Sequence, residues 1–573
     1  MRATLDRLVQ RLLDERAPGG YWIGELASSA LSTATAVVAL SLAGSDSPLV
    51  PQGLAWLERT QNRDGGWGDT TLSVSNISTT ALCWSAFLIA RRKSDAVPRC
   101  EGWLRAAAGD LEPQRLADAI AARYGDDHTF SVPILTVLAV AGRVPWQLVP
   151  QLPFELAAFP QSWFRRLNLR VVSYALPALI AIGQVRHRLR PSRNLLAVMI
   201  RRTVSTKTLA VLERIQPDNG GFLEATPLTS FVAISLSAAG YKNHPVLRKA
   251  LHFLQASIRA DGSWPIDTNL STWITTLSVN ALGDRLPPDQ RERVREWILQ
   301  QQHRIIHPYT GAAPGGWAWT DLPGGVPDAD DTAGALLALD RLGPKDARAT
   351  AAALLAAEWL LGLQNRDGGI PTFCRGWGKL PFDRSSPDIT AHVLLAWSAW
   401  RQSFDPAMQV RLDAATRRAL AFLRHAQRSG GAWIPLWFGN QFATADENPV
   451  YGTSRVLSAL NVVQPGSAMA KRAEDWLLAS QDQDGGWGGD RGISPSIEET
   501  SLAIVALSGV AGEQAASAVA RGAAWLIDAT RNGADTLPSP IGFYFAKLWY
   551  YDRLYPLIFA LDAISLASGK SSA

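Results

Sequence analysis

"WLLASQDQDGGWG", Trp476 to Gly488, runs a tryptophan-bearing apolar segment into Asp-Gly-Gly, where a helix cannot continue. The same grammar returns along the chain: "WLERTQNRDGGWG" (Trp56 to Gly68), "WILQQQ" (Trp297 to Gln302), "WLLGLQNRDGG" (Trp359 to Gly369) and "FLRHAQRSGGAW" (Phe422 to Trp433). In each, a Gln stands five positions after an aromatic residue. Degenerate copies lie at Arg214 to Phe222 and Phe253 to Trp264, and "PGGWAW" (Pro314 to Trp319) completes the Trp297 unit after an insertion. Alanine- and leucine-rich segments such as "RATAAALLAAEWLLGLQ" precede the turns. Segments such as "SNISTTALCWSAFLIA" and "SIEETSLAIVALSGV" follow them, opening on residues that cap helices. Alternating strand patterns are sparse. The repeat predicts an all-α protein of antiparallel helix pairs, stacked as an open solenoid or closed into rings. The Gln and Trp are expected to be structural, the Gln amide tying down peptide groups at neighbouring helix ends.

Working outward, 573 residues exceed one compact core, and the repeats occupy both halves. We therefore expect two rings, meeting near residue 268. The charge balance, 56 Lys plus Arg against 51 Asp plus Glu, is too mild and dispersed for a nucleic-acid binder. Three scattered cysteines give neither a disulfide framework nor a zinc signature and fit a reducing, cytoplasmic compartment. The charged, amphipathic N-terminus does not read as a signal peptide. No apolar run is long enough to predict a spanning helix. Arginines mixed with Leu, Val, Met and Ile over Arg186 to Arg202 suit either an anionic membrane surface or a solvated basic face. Tryptophan is in excess, at 22 against 17 Phe and 10 Tyr, which core filling alone does not explain.

The motif of greatest chemical interest is "PDADDTAGALLAL", Pro327 to Leu339. One acid there could cap a helix beginning at Thr332, but capping does not use three. Asp328, Asp330 and Asp331 cannot all be ionised in a low-dielectric site, so at least one should keep its proton. A neutral carboxylic acid facing hydrocarbon is what protonation of an isolated alkene requires. Its conjugate base then needs hydrogen bonds or positive charge nearby. In "PDITAHVL" (Pro387 to Leu394), Asp388 and His392 are four apart and share a helix face, so they can touch. Aromatic faces stabilise cations without trapping them, which gives the tryptophan excess a second use.

The Gln–Trp repeats together with D-x-D-D-T-A resemble the class II terpene cyclase family, and within it the squalene-hopene and oxidosqualene cyclase branch. "GYWIGEL" (Gly20 to Leu26), "VPQLPFELAAFP" (Val149 to Pro160) and "VYGTSRVLSAL" (Val450 to Leu460) agree. The resemblance implies two α/α barrels with a reaction cavity between them. Residues 1–19 would form a helix packing on the C-terminal barrel, with the barrels at 20–268 and 269–573. It implies Asp330 as proton donor, Asp328 and Asp331 shaping its environment, His392 bonded to the donor and Asp388 as the carboxylate partner of His392. Cavity aromatics map onto Tyr174, Trp273, Trp319, Phe373, Phe543, Tyr544 and Tyr551. The implied substrate is squalene or a similar apolar polyprene, with no cofactor or metal, and the implied setting is monotopic attachment to the cell membrane; a homodimer stays open.

Two family acids at the far end of the cavity are Thr33 and Leu82 here, which puts hopene and hopanol in doubt as products. Asp126, Asp127 and His128 in "YGDDHTF" read either as a helix cap or as a replacement terminal base. Two other readings compete. A diterpene-type class II cyclase would act on a prenyl diphosphate. A non-catalytic, protein-prenyltransferase-like repeat protein would show a zinc site of Asp, Cys and His.

Overall fold

The computed structural model describes the whole chain except residues 45–46, 126, 168–171, 377–379, 545–546 and 571–573, and the side chains of Arg165, Tyr544 and Lys570. Among the described residues helices dominate, and the only ladders are three short two-stranded ones.

Helices that are apolar on all sides must be surrounded by protein, and these form two closed inner rings. In the first, Ala30–Leu42 packs on Ile77–Ile89. The ring continues through His128–Val140, Leu176–Leu189 and Thr226–Ala238, which returns to Ala30–Leu42. In the second, Ser271–Leu282, Ala329–Leu342, Pro387–Trp400, Pro449–Val463, Ile497–Ser508 and Tyr555–Lys570 pack in that order, and the last closes on the first. One-sided helices such as Leu49–Thr60 and Pro245–Ala256 lie outside, burying Leu54, Trp56 and Leu57 or Val246, Leu247 and Phe253.

The Gln–Trp turns hold the layers together as the repeat predicted. The Gln364 amide donates to Gly368 O (2.8 Å) and to Ala415 O of the next outer helix (2.9 Å). Gln61, Gln216, Gln302, Gln427 and Gln481 make the equivalent pair of bonds. The buried indole of Trp487 donates to Leu477 O (2.9 Å), and its backbone N–H donates to Thr500 Oγ1 on the following inner helix (2.9 Å). Glycine is needed at Gly368, which has φ +91° and where a Cβ would lie 2.3 Å from Arg418 O.

Two of these turns exchange partners. Trp22 N donates to Thr275 in the second ring, while Trp264 N donates to Thr33 in the first (both 3.0 Å). The N-terminal helix Arg2–Asp14 accordingly packs on Tyr555–Lys570. The first ring is thus inserted near the start of the second, and the two meet face to face where the chain crosses.

Candidate active site

A chamber of about 200 Å³ lies between the rings. The first ring contributes Phe130, Leu223, Leu228 and Phe231, with Ile266 and Asp267 from the crossing segment; the second contributes the Asp motif and most of the aromatic wall.

The Asp-motif helix starts at Ala329, three residues before the expected Thr332. Asp328 is the cap, its Oδ1 accepting from Asp331 N at 2.8 Å. This cap turns Asp328 and Asp331 inward, to 3% and 5% exposure. The Asp330 side chain keeps 21% exposure and meets the chamber. Burial raises the pKa of Asp328, and burial together with the charge of Asp328 raises that of Asp331 well above the carboxylate range. Asp328 Oδ2 and Asp331 Oδ1 are buried without hydrogen-bond partners, which opposes ionisation of both at once. The three acids therefore do not carry three charges.

His392 Nδ1 lies 2.6 Å from Asp330 Oδ1, and its ring meets that of Trp273 edge-on at 6.2 Å. The expected contact between Asp388 and His392 does not form. Asp388 instead accepts from Ser386 Oγ, which turns its carboxylate back towards the start of its helix. Burial and then the Asp330 charge push Asp388 up to about 6.

Sequence reasoning missed Arg455, four residues after Tyr451 on the neighbouring inner helix. Its Nε and Nη2 each lie 3.4 Å from Tyr451 Oη, and its guanidinium sits over the Tyr451 ring at 5.3 Å. Burial opposes its charge, but Tyr451 and the carboxylates of Asp330 and Asp388 outweigh that and leave its pKa raised. The segment "VYGTSRVLSAL" was legible as a family match, but nothing in a lone Arg on a helix announces a charge facing the acids.

Of the expected aromatics, Trp273, Trp319, Phe373 and Tyr174 line the chamber. Phe373 forms the hub, with ring centroids 4.7 Å from Tyr174, 6.2 Å from Trp319 and 5.8 Å from Trp437. Phe543 and Tyr551 are not in the lining. In the hairpin Gly542–Tyr544 with Leu548–Tyr550, Phe543 pairs with and stacks on Trp549 (4.9 Å), and Leu548 and Tyr550 on the alternate face reach the chamber. Tyr551 lies just past the end of that strand. The side chain of Tyr544 lies outside the described residues. Trp437 and Phe438 were overlooked, although they follow a Gly-Gly-Ala-Trp turn much as Trp319 follows Gly-Gly-Trp.

Asp127 caps the helix His128–Val140, accepting from Thr129 N at 2.8 Å. Thr129 and Phe130 touch the chamber, whereas Asp127 and His128 are not in its lining, and Asp126 lies outside the described residues. Thr33 Oγ1 is occupied by Trp264 N, and Leu82 is packed in the first ring's core.

Paired helical rings enclosing an acid trio and an aromatic chamber define a class II terpene cyclase, an intramolecular isomerase. The model of the squalene-hopene cyclase C-terminal domain matches residues 270–566, and that of the N-terminal domain matches residues 5–188. The chain belongs to the squalene-hopene cyclase family. It is 24% identical to the squalene–hopene cyclase of Bradyrhizobium diazoefficiens, over 93% of this chain and 89% of that protein. It is 27% identical to enfumafungin synthase of Hormonema carpetanum, over 96% of this chain but only 47% of that larger protein. Among solved structures, the ent-copalyl diphosphate synthase from Streptomyces platensis superposes over 99% of this chain and 100% of that one, with a TM-score of 0.61 and 19% identity. That likeness is one of fold.

Proposed function

We propose that this protein cyclises squalene or a polyprene of similar length, with Asp330 as the proton donor. The observation that carries the reading is the 2.6 Å contact of Asp330 with His392 at the wall of an aromatic chamber. Asp330 transfers its proton to a terminal alkene, whose electron pair forms the new C–H bond and leaves a tertiary cation. The carboxylate left behind is stabilised by the His392 Nδ1–H and by the buried Arg455 charge. Asp331, kept neutral by burial and by the charge of Asp328, adds no competing negative charge. The migrating cation runs past Trp273, Trp319, Phe373 and Trp437, each face contributing about 2 kcal/mol or more when desolvated.

A second reading, a shorter prenyl diphosphate, is favoured by size. At about 200 Å³ the chamber is below the usual range for ligand sites, roughly 300–1,000 Å³. A groove of about 700 Å³ shares Tyr174 and Phe373 with the chamber and carries Arg375, a partner for an anionic head.

Purified protein in detergent should be incubated separately with squalene and with geranylgeranyl diphosphate, and the products read by mass spectrometry. The expected result is a cyclic isomer from squalene, lowered at least about 100-fold by Asp330→Asn. Cyclisation of the diphosphate alone would select the second reading, and an Asn variant as fast as wild type would remove Asp330 from its role.

The membrane setting also belongs to this proposal. No helix among the described residues is long and apolar enough to cross a bilayer. On the helix Leu195–Ile215, however, Leu195, Leu196, Met199 and Ile200 stand exposed, with Leu195 at 81%. Phe159 and Trp163 are exposed on a nearby segment, which Gln161 ties to Tyr309 O at 2.7 Å. Such an apolar face beside basic residues fits a lipid surface as the source of substrate and a cytoplasmic, monotopic location.

A further inference from the structure

The polycyclic cation at the end of the reaction must lose a proton or gain water. The positions expected to manage this step do not do so here: Thr33 binds a backbone amide, Leu82 is core, and Asp127 is a helix cap. One carboxylate of the chamber is still unassigned. Asp267, 3% exposed, lies in the segment where the chain crosses between the rings, outside the Asp motif. Its backbone is bridged to Ala225, Ile266 O accepts from Thr226 N (2.9 Å) and Thr268 N donates to Glu224 O (3.2 Å), so the segment is fixed on both sides of it. It is not the cap of the next helix, since Asn269 supplies the oxygen that accepts from Ser271 N. Ala225, Leu228, Phe231, Ile266 and Leu270 line the same chamber. Tyr550 also lines the chamber and feels the charges of both Asp267 and Asp330, its phenol held neutral mainly by burial.

We propose that Asp267 is the terminal base. The inference rests on the cyclase reading above. In the final step a C–H bond next to the cationic carbon breaks, its electron pair becomes the new double bond, and the proton passes to an Asp267 carboxylate oxygen. Asp330 gives one proton and Asp267 takes one, so the reaction is a net isomerisation and needs no other reactant.

The test uses the full-length protein in detergent with whichever of squalene and geranylgeranyl diphosphate the wild type cyclises, comparing Asp267→Asn and Asp267→Glu. Removing a positioned base costs roughly 10²–10⁴-fold in its own step. The Asn variant should therefore still consume substrate through Asp330, while the wild-type product falls by about tenfold or more in share. Isomeric alkenes or alcohols should replace it, and the Glu variant should restore part of the wild-type product. An Asn variant with the wild-type rate and product pattern overturns the proposal. So does a folded Asn variant that consumes no substrate, because Asp267 would then act at initiation. If Asn does not fold, the Glu variant decides: a shifted product ratio supports the role and an unchanged ratio refutes it. A wild type inert towards both substrates would fail the cyclase reading itself, before any Asp267 variant is compared.

Discussion

An alkene is so weak a base that the fate of the conjugate carboxylate decides whether Asp330 can protonate it. The imidazole of His392 touches Asp330 directly, and Arg455 adds a positive group that the sequence motif does not contain. Replacing Arg455 with Met keeps most of its volume and removes its charge. We expect turnover to fall by about 10–100-fold with little change in KM, because the charge acts on the proton-transfer step and not on the hydrocarbon. Arg455→Lys should recover part of the loss. An Arg455→Met enzyme with unchanged turnover would make the residue a packing element only. The acid trio was legible because three carboxylates in four positions have no ordinary structural use. Arg455 and Asp267 were not, since a single charged residue in a helix or loop carries no spacing signal. The supposed Asp388–His392 pair shows the limit of helical arithmetic: a shared face permits contact, but Ser386 offered Asp388 a nearer hydroxyl.

At the scale of elements, the Gln–Trp turns were readable because each side chain bonds to backbone, and backbone partners recur at fixed spacing whatever the surrounding side chains are. The hairpin that contributes Tyr550 was misread for the opposite reason. A three-residue strand is too short to display its period, so Phe543 and Tyr551 looked as eligible as their neighbour. The helix Leu195–Ile215 presents a third case. Its mixture of Arg and apolar residues was ambiguous until exposure separated the two faces. Leu196→Asp combined with Met199→Asp places two charges where apolar side chains now face solvent, at 66% and 63% exposure. The double variant should lose most of its co-flotation with vesicles containing anionic lipid, while keeping its thermal stability and its turnover of detergent-solubilised substrate. Flotation equal to wild type would take this helix out of the membrane contact.

The whole molecule explains why the chemistry sits where it does. In the second ring, Trp317, Ile370 and Trp487 donate their backbone N–H to Thr332, Thr390 and Thr500, and Trp22 donates to Thr275 across the crossing. Two residues before these threonines stand Asp330, Asp388, Glu498 and Trp273. One repeat position thus supplies the proposed proton donor, a buried acid near it and an aromatic wall. At Glu498 the same slot is closed by a loop, Ser539 N donating to Glu498 Oε1 at 2.8 Å. Burial and then the charge of Glu499 push Glu498 up to about 8 from 4.5. A folded-state pKa above the unfolded one means that the folded protein holds the extra proton. Its contribution to stability is complete below about pH 4.5 and is lost as pH rises towards 8. Glu498→Gln keeps the acceptor for Ser539 and cannot ionise. The variant should therefore gain on wild type across that window, by a relative Tm shift on the order of 1–2 °C between pH 5 and pH 8.5. Parallel melting curves for the two proteins over that range would mean that Glu498 is already charged in its buried site, with an unseen cation or water paying for it.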